Sequence, residues 1–335
     1  MKRPFISVII TAYNRREFIK DAVKSIINSM LPEDEYEIIV VKNFKDEYVD
    51  SIVEKTGGKS IIANLVTVGA MIALGINAAR GDIVTFLDDD DVYLPNRLSI
   101  IKRIFKSIHS LIYYHNNVIT INETGSIIRD ELVESTNIYN SIIAYNHEDK
   151  LDILKRYGLG PGLRLSSIAV KRSFIKRWVN IIKYFPELQD VIVFLLALID
   201  EGTIIHDPRP LTYYRVSSTS ASSARAIVNP INRFNRAVRI SARHALARHM
   251  LVTLAKKSGL SKYIKYDEAT IIGGIYGNWG RWLSRAIIDL VNCKSMTCIG
   301  SVIIGSTYLV SPWFAKRLIY LYYTRVFDVL WGLRF

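Results

Sequence analysis

Cysteine is nearly absent from this chain. Its 335 residues include two, Cys293 and Cys298, too few for a disulfide framework or a four-cysteine metal site. Both read as small core residues of a protein kept in a reducing compartment. No cleavable leader is expected either. Met1-Lys2-Arg3 precedes an apolar stretch from Phe5 to Ala12, but the stretch is short, and Arg15 and Arg16 follow it without a small-residue cleavage site. It is expected to be a buried strand of a protein that is not secreted. No internal repeat is visible.

Acidic residues are scarce in one part only. Residues 226–335 hold 4 Asp+Glu against 16 Lys+Arg, whereas residues 1–225 hold 27 against 28. Nearly all of the net charge of +13 therefore sits in the last third. A basic excess confined to one segment points to a polyanionic partner of that segment, a membrane surface or a nucleic acid. Half of the residues are apolar, enough for a large α/β domain with an appendage.

Residues 1–110 alternate short β-branched runs with helical patterns. The runs are Ile6–Thr11, Glu37–Val41, Ile61–Val66 and Ile83–Leu87, and helices are predicted near 16–29, 46–55 and 69–79. Continuous apolar strands separated by amphipathic helices specify a mostly parallel sheet covered on both faces, a Rossmann-like nucleotide-binding layout. Residues 111–220 are mixed, with a strand near 112–121, a turn at Asn122–Gly125, a helix near 148–157, a glycine-rich loop Gly158–Gly162, a helix near 188–201 and strands near 203–206 and 211–216. The loop's glycines would let an acceptor approach the backbone, or are those of a plain loop. Ser217–Ser223 reads as a hinge before a basic, helical C-terminal region, 221–335.

Four carboxylates, Asp88-Asp89-Asp90-Asp91, stand directly at the end of an apolar strand. In a doubly wound sheet ligands bind outside the carboxyl ends of strands. Like charges this close repel one another unless a cation neutralises them, and hard oxygen ligands select Mg²⁺ or Mn²⁺. The first strand ends in Thr11-Ala12-Tyr13-Asn14, where Tyr13 could pack on a base while Asn14 and backbone groups bond to it.

Together these two elements resemble family 2 of the glycosyltransferases, whose members open with a Thr/Pro-x-Tyr-Asn element and carry Asp-x-Asp-Asp after the fourth strand. Tyr93-Leu94-Pro95-Asn96-Arg97-Leu98, Asn77-Ala78-Ala79-Arg80-Gly81-Asp82, Gln189-Asp190 and Pro210-Leu211-Thr212-Tyr213-Tyr214-Arg215 follow in family order, so the likeness covers about residues 4–218. It implies the GT-A fold and an inverting, hexosyltransferase-type enzyme that uses a nucleotide sugar and Mn²⁺ or Mg²⁺. Thr11, Ala12, Tyr13, Asn14, Asn43, Asp88 and Asp89 would bind the nucleotide sugar, with Arg80 and Arg215 assisting at its phosphates. Asp88 and Asp90 would hold the metal, and Asp190 would be the general base.

The chain departs from the family in four places. Gln189 replaces the first member of an acidic pair, leaving Asp190 as its only carboxylate. Lys42-Asn43 stands where one or two Asp usually hold the base, though Asn43 can still pair with a base edge. Leu74-Gly75 replaces an Arg-Asn of the third helix, and Ser217 replaces a His that often contacts metal or phosphate.

The last third supplies a second theme. A basic helix is expected over 228–257, with Arg236, Arg239 and Arg243 on one face, and residues 295–315 carry no charge. Gly300, Gly305 and Pro312 dilute that stretch, which favours an interfacial or re-entrant segment over a bilayer span. From Ser311-Pro312-Trp313, an N-cap with proline at the first helical position, aromatics mix with Lys316, Arg317 and Arg325 in the composition of a membrane-interface anchor. The expected partners are a nucleotide sugar donor, a glycan or lipid-linked acceptor and an anionic membrane surface on its cytoplasmic face, and not nucleic acid, which the acidic cluster would repel. A catalytically inactive relative serving as a membrane scaffold and a nucleic-acid-binding protein are the competing readings. The sugar, the base of the donor and the oligomeric state are not legible.

Overall fold

The computed structural model describes residues 3–64, 67–128, 138–217, 230–264, 303–308 and 310–321. Cys293 and Cys298 lie outside these residues, as does most of the expected hinge. The chain divides into two compact units, one made of residues 1–185 and 189–216 and the other of 186–188 and 217–335.

The first unit is built on one nine-stranded sheet. β1 (Ile6–Ala12), β2 (Tyr36–Lys42) and β4 (Ile83–Asp88) are wholly or almost wholly buried along their length. This is why their sequences are unbroken apolar runs rather than alternations. β3 (Lys59–Ile62) is shorter than expected and begins earlier, directly after the turn at Gly57, whose φ of +69° suits glycine. β1 pairs in parallel with both β2 and β4, so the strand order β3-β2-β1-β4 reverses at β1 and leaves a crevice beyond its carboxyl end. α1 (Ile19–Ile27), α2 (Glu47–Lys55) and α3 (Val68–Ala78) connect these strands. On α1 the residues Ile19, Ala22, Val23 and Ile26, three or four apart, are buried and join the apolar cluster under the sheet.

After a two-residue strand β5 (Val92–Tyr93) comes a helix, α4 (Arg97–Ser107), and then β6 (Leu111–Ile121). β7 (Ile142–Ala144), α5 (His147–Tyr157), β8 (Ile168–Lys171), α6 (Arg172–Ile182), α7 (Gln189–Ile199) and β9 (Thr203–Arg215) complete the unit. β8 runs antiparallel between β4 and β6, while β6 and β9 are parallel. Two strands expected near 203–206 and 211–216 are one, β9. Its ladder shifts register opposite Asn116 and Asn117, where Pro208 and Pro210 cannot donate backbone hydrogen bonds. Of the glycine-rich loop, Gly162 packs on the protein itself, where a Cβ would meet Phe194 of α7 at 2.7 Å, whereas Gly158 has open space beside it.

In the second unit α8 (Pro230–Lys257) is the expected basic helix, with Ala247, Leu251 and Ala255 forming a buried stripe at intervals of four. Arg236 of the expected arginine face is described; the side chains of Arg239 and Arg243 lie outside the described residues. α9 (Pro312–Leu321) begins at the expected proline and buries Ala315 and Ile319, while Trp313 is 75% exposed. Among the described residues no helix is long and apolar enough to cross a membrane.

Candidate active site

The carboxyl ends of β1, β2 and β4 meet at the reversal of strand order. Thr11 stands opposite Asp88 and Ala12 opposite Lys42 in the ladders, which brings the Thr11–Asn14 element, Asn43 and Asp88–Asp91 to one edge of the sheet. β8 enters from the same side, and Ser166 just before it accepts the Asp88 amide proton on Oγ at 2.9 Å. Arg215, the last residue of β9, arrives there too.

Asn14 has a φ of +56°, in the left-handed region that asparagine tolerates better than most residues. Its amide donates to Asn43 Oδ1 at 2.8 Å and its Oδ1 accepts from Asn43 Nδ2 at 2.7 Å. Tyr13 is left 48% exposed beside this pair, an open aromatic face at the crevice. Lys42 points elsewhere. It is fully buried, and its ammonium donates to Phe44 O and pairs with Asp50, which leaves Asn43 as the polar side chain beside Asn14 at this strand end.

Burial and mutual repulsion dominate the carboxylates. Asp88 is pushed well above the usual carboxylate range by burial and then by Asp91, Asp90 and Asp89. Burial lifts Asp89 to about 6 even with Arg15 bound to it, and Asp91 to about 8. Two arginines supply the counter-charge. The Arg15 guanidinium bridges Asp89 and Asp90. The amide of Arg215 donates to Asp91 Oδ1, and its side chain is spent on Asp90 O, Glu123 O and Asp21 while lying over Phe18. Arg215 therefore clamps the backbone of the acidic turn rather than offering a free guanidinium to a phosphate.

The acidic turn is braced from below. The fully buried Arg97 donates to Asn116 Oδ1 and Thr85 Oγ1 and lies 4.0 Å from the centre of the Tyr93 ring. The Tyr93 hydroxyl donates to Phe86 O. The Tyr93–Leu98 motif thus holds β4 in place.

Asp190 opens α7, where the helix dipole favours a carboxylate. Its oxygens accept from the amides of Val191 and Arg164, each at 2.8 Å. Burial raises its pKa above that of an ordinary aspartate, and the amides, which favour the charged form, only partly oppose this. The neighbouring Gln189 turns inward and donates to Phe185 O at 3.0 Å, a contact that needs a donor and that a carboxylate could not make. Arg164, at φ +68°, lies over the Tyr214 ring at 4.4 Å. No local signal in the sequence marks it.

One expected residue is not here. Arg80 lies before β4 rather than after it, and its side chain bonds Glu37 Oε2 and Gly57 O at the amino ends of β2 and β3. A six-residue strand, at about 3.3 Å per residue, separates it from the acidic turn, so it cannot assist at phosphates bound there.

Among the described residues no group of three His, Cys, Asp or Glu is arranged to hold a metal ion. A divalent cation fits differently. Mg²⁺-type ions are commonly held by one or two carboxylates and complete their shell with phosphate oxygens and water, and the mutually repelling Asp88 and Asp90 suit that arrangement.

Residues 7–167 match the family model described as "Glycosyl transferase family 2". An uncharacterized glycosyltransferase of Methanocaldococcus jannaschii is 28% identical over 39% of this chain and 47% of its own length. Another, from Haemophilus influenzae, is 24% identical over 67% and 84%. The chain thus spans about half the length of the first of these relatives. Among solved structures, S. aureus TarS matches with a TM-score of 0.55 at 16% identity, covering 98% of this chain and 55% of that one. TarS 1–349, solved in complex with UDP-GlcNAc, matches at 0.50 and 16% identity, covering 99% and 92%. At such identities these structures show the GT-A fold alone.

Proposed function

Residues 7–167 belong to glycosyl transferase family 2, and from that premise we propose that this chain transfers a sugar, with inversion, from a nucleoside diphosphate sugar to a hydroxyl of a lipid-linked or other membrane-proximal acceptor. The observation that carries the reading is the meeting of Asp88–Asp91 with Asn14, Asn43 and Tyr13 at the strand-order reversal, an arrangement suited to a nucleotide whose phosphates arrive with a divalent cation between them and the carboxylates.

Each residue then has a task. Tyr13 stacks on the base, and Asn43 presents it with a hydrogen-bonding edge. Asp88 and Asp90 hold a divalent cation, Mn²⁺ or Mg²⁺, which when bound supplies Lewis-acid stabilisation of the negative charge on the departing nucleoside diphosphate. Asp190 takes the proton from the acceptor hydroxyl as its oxygen bonds to the anomeric carbon. The bond from that carbon to the phosphate oxygen breaks, and the nucleoside diphosphate leaves with the electron pair. Two backbone amides hold the Asp190 carboxylate in one orientation, so little reorganisation is needed as the proton moves.

The donor assignment is tested by thermal shift across a panel of nucleotide sugars with and without Mn²⁺. A ligand that binds only the folded chain raises the melting temperature, by the equivalent of about 2.7 kcal/mol at a hundred-fold excess over its dissociation constant. At least one donor should do so only with Mn²⁺. UDP-GlcNAc, which TarS binds, is the first to try. A panel with no metal-dependent shift would count against the donor site.

The membrane half of the proposal rests on the second unit. Ile303, Val310, Trp313 and Phe314 are exposed near Lys316 and Arg317, and the +12 excess of residues 226–335 suits an anionic leaflet. Deleting residues 296–335 should abolish sedimentation with anionic liposomes. For the full chain, binding that survives high salt would show an apolar contribution, since charges alone are screened over about 8 Å at physiological ionic strength. Failure to bind any liposome would remove the membrane from the account.

A further inference from the structure

Arg15 follows the left-handed turn at Asn14, and that turn carries its side chain back over the acidic run. The guanidinium treats its two partners unequally. Asp89 receives a fork: Nε donates to Oδ2 at 3.1 Å, and a terminal nitrogen donates to Oδ1. Asp90 receives only the other terminal nitrogen, 2.7 Å from Oδ2 and without the alignment of a hydrogen bond. All three side chains are largely buried, with exposures of 16% for Arg15, 6% for Asp89 and 11% for Asp90. Two parallel N–H···O bonds fix geometry, whereas a misaligned ion contact is held by charge and gives way to a competing cation.

We propose that Arg15 is a positioning residue that serves as the resident counter-ion of the acidic turn, anchored on Asp89 and displaced from Asp90 by the divalent cation that arrives with the donor. This reassigns Asp89 from the nucleotide to Arg15, and it rests on the metal-dependent reading of the site. Arg15 makes the cation compete for Asp90, so the chain alone binds metal weakly. Coupling to the donor follows, because phosphate oxygens add ligands for the cation and also an acceptor for the freed end of the guanidinium.

A permanent structural ion pair would behave differently on removal. Breaking it would cost stability and leave metal affinity unchanged or lower, because the acidic turn would lose its shape. Under exchange, removing the competitor must raise affinity for the metal alone.

The test is Mn²⁺ binding to the full chain without nucleotide, read from the electron paramagnetic resonance signal of free Mn²⁺, for the unaltered chain, Arg15→Gln and Arg15→Lys, with folding checked by circular dichroism. Arg15→Gln should bind Mn²⁺ at least ten-fold more tightly than the unaltered chain. Arg15→Lys, which keeps a charge but not the fork, should fall between them. Unchanged or weaker binding in Arg15→Gln overturns the exchange while leaving a metal site in place. No Mn²⁺ binding by any of the three, even with UDP or GDP added, overturns the metal reading and the exchange with it. Loss of the fold in both variants would make Arg15 a structural brace and would equally overturn the proposal.

Discussion

Asp190→Asn should lower the rate of sugar transfer by roughly 10²–10⁴-fold, the usual scale for a lost general base. Donor affinity should remain near that of the unaltered chain. The substitution keeps shape and keeps an acceptor oxygen for one of the two amides from Arg164 and Val191, so the start of α7 should stay folded. It removes the group that receives the acceptor's proton, whose interaction strengthens only in the transition state. Michaelis–Menten kinetics with separate donor and acceptor titrations provide the check. A variant that turns over within a few-fold of the unaltered chain would move the base elsewhere. The pH profile adds a sign: the raised pKa of Asp190 means that activity is lost on acidification at a higher pH than an exposed aspartate would give.

Asp90→Asn acts on the other substrate. It deletes one charge from the acidic turn without changing its volume, and it removes the carboxylate that Arg15 grips most loosely. Changing a group that merely supports a metal ligand costs about 10–100-fold in affinity or activity, so loss of a ligand should weaken metal-dependent donor binding by at least about a hundred-fold. The fold should survive, because Asp90 is not the residue that pins the turn: Arg215 bonds its backbone oxygen and the side chain of Asp91. Isothermal titration of a nucleotide sugar in the presence of Mn²⁺ measures the loss. Donor affinity and Mn²⁺ dependence that both persist would exclude Asp90 as a ligand.

The elements that carry this site were legible for a physical reason. β1, β2 and β4 are buried on both faces, so each had to be a continuous apolar run, and carboxylates or polar residues at the end of such a run can emerge only at the edge of the sheet. β8 was not resolved by the same reading, because an antiparallel strand as short as Ile168–Lys171 has too few residues for its period to stand out. Arg80 shows a different limit. It is close in sequence to the acidic turn, yet a strand lies between them, and distance along a strand separates the two ends of a sheet. Arg15 and Arg164 acquire meaning only from the left-handed turns that aim them, and single-residue φ values leave no periodic trace. Lys42 looked like a defect in the base-binding position; its ammonium instead pairs with Asp50 in the interior.

The central claim, that the edge of the sheet at Asp88–Asp91 cleaves nucleotide sugars, is tested most directly by the slow release of nucleoside diphosphate from a donor panel, with water or a simple sugar as acceptor. The unaltered chain with Mn²⁺ should release the diphosphate from at least one donor. Release should cease when the metal is chelated, and it should be absent in Asp90→Asn. No release from any donor by a folded chain would contradict an active transferase, and so would release that proceeds equally in Asp90→Asn.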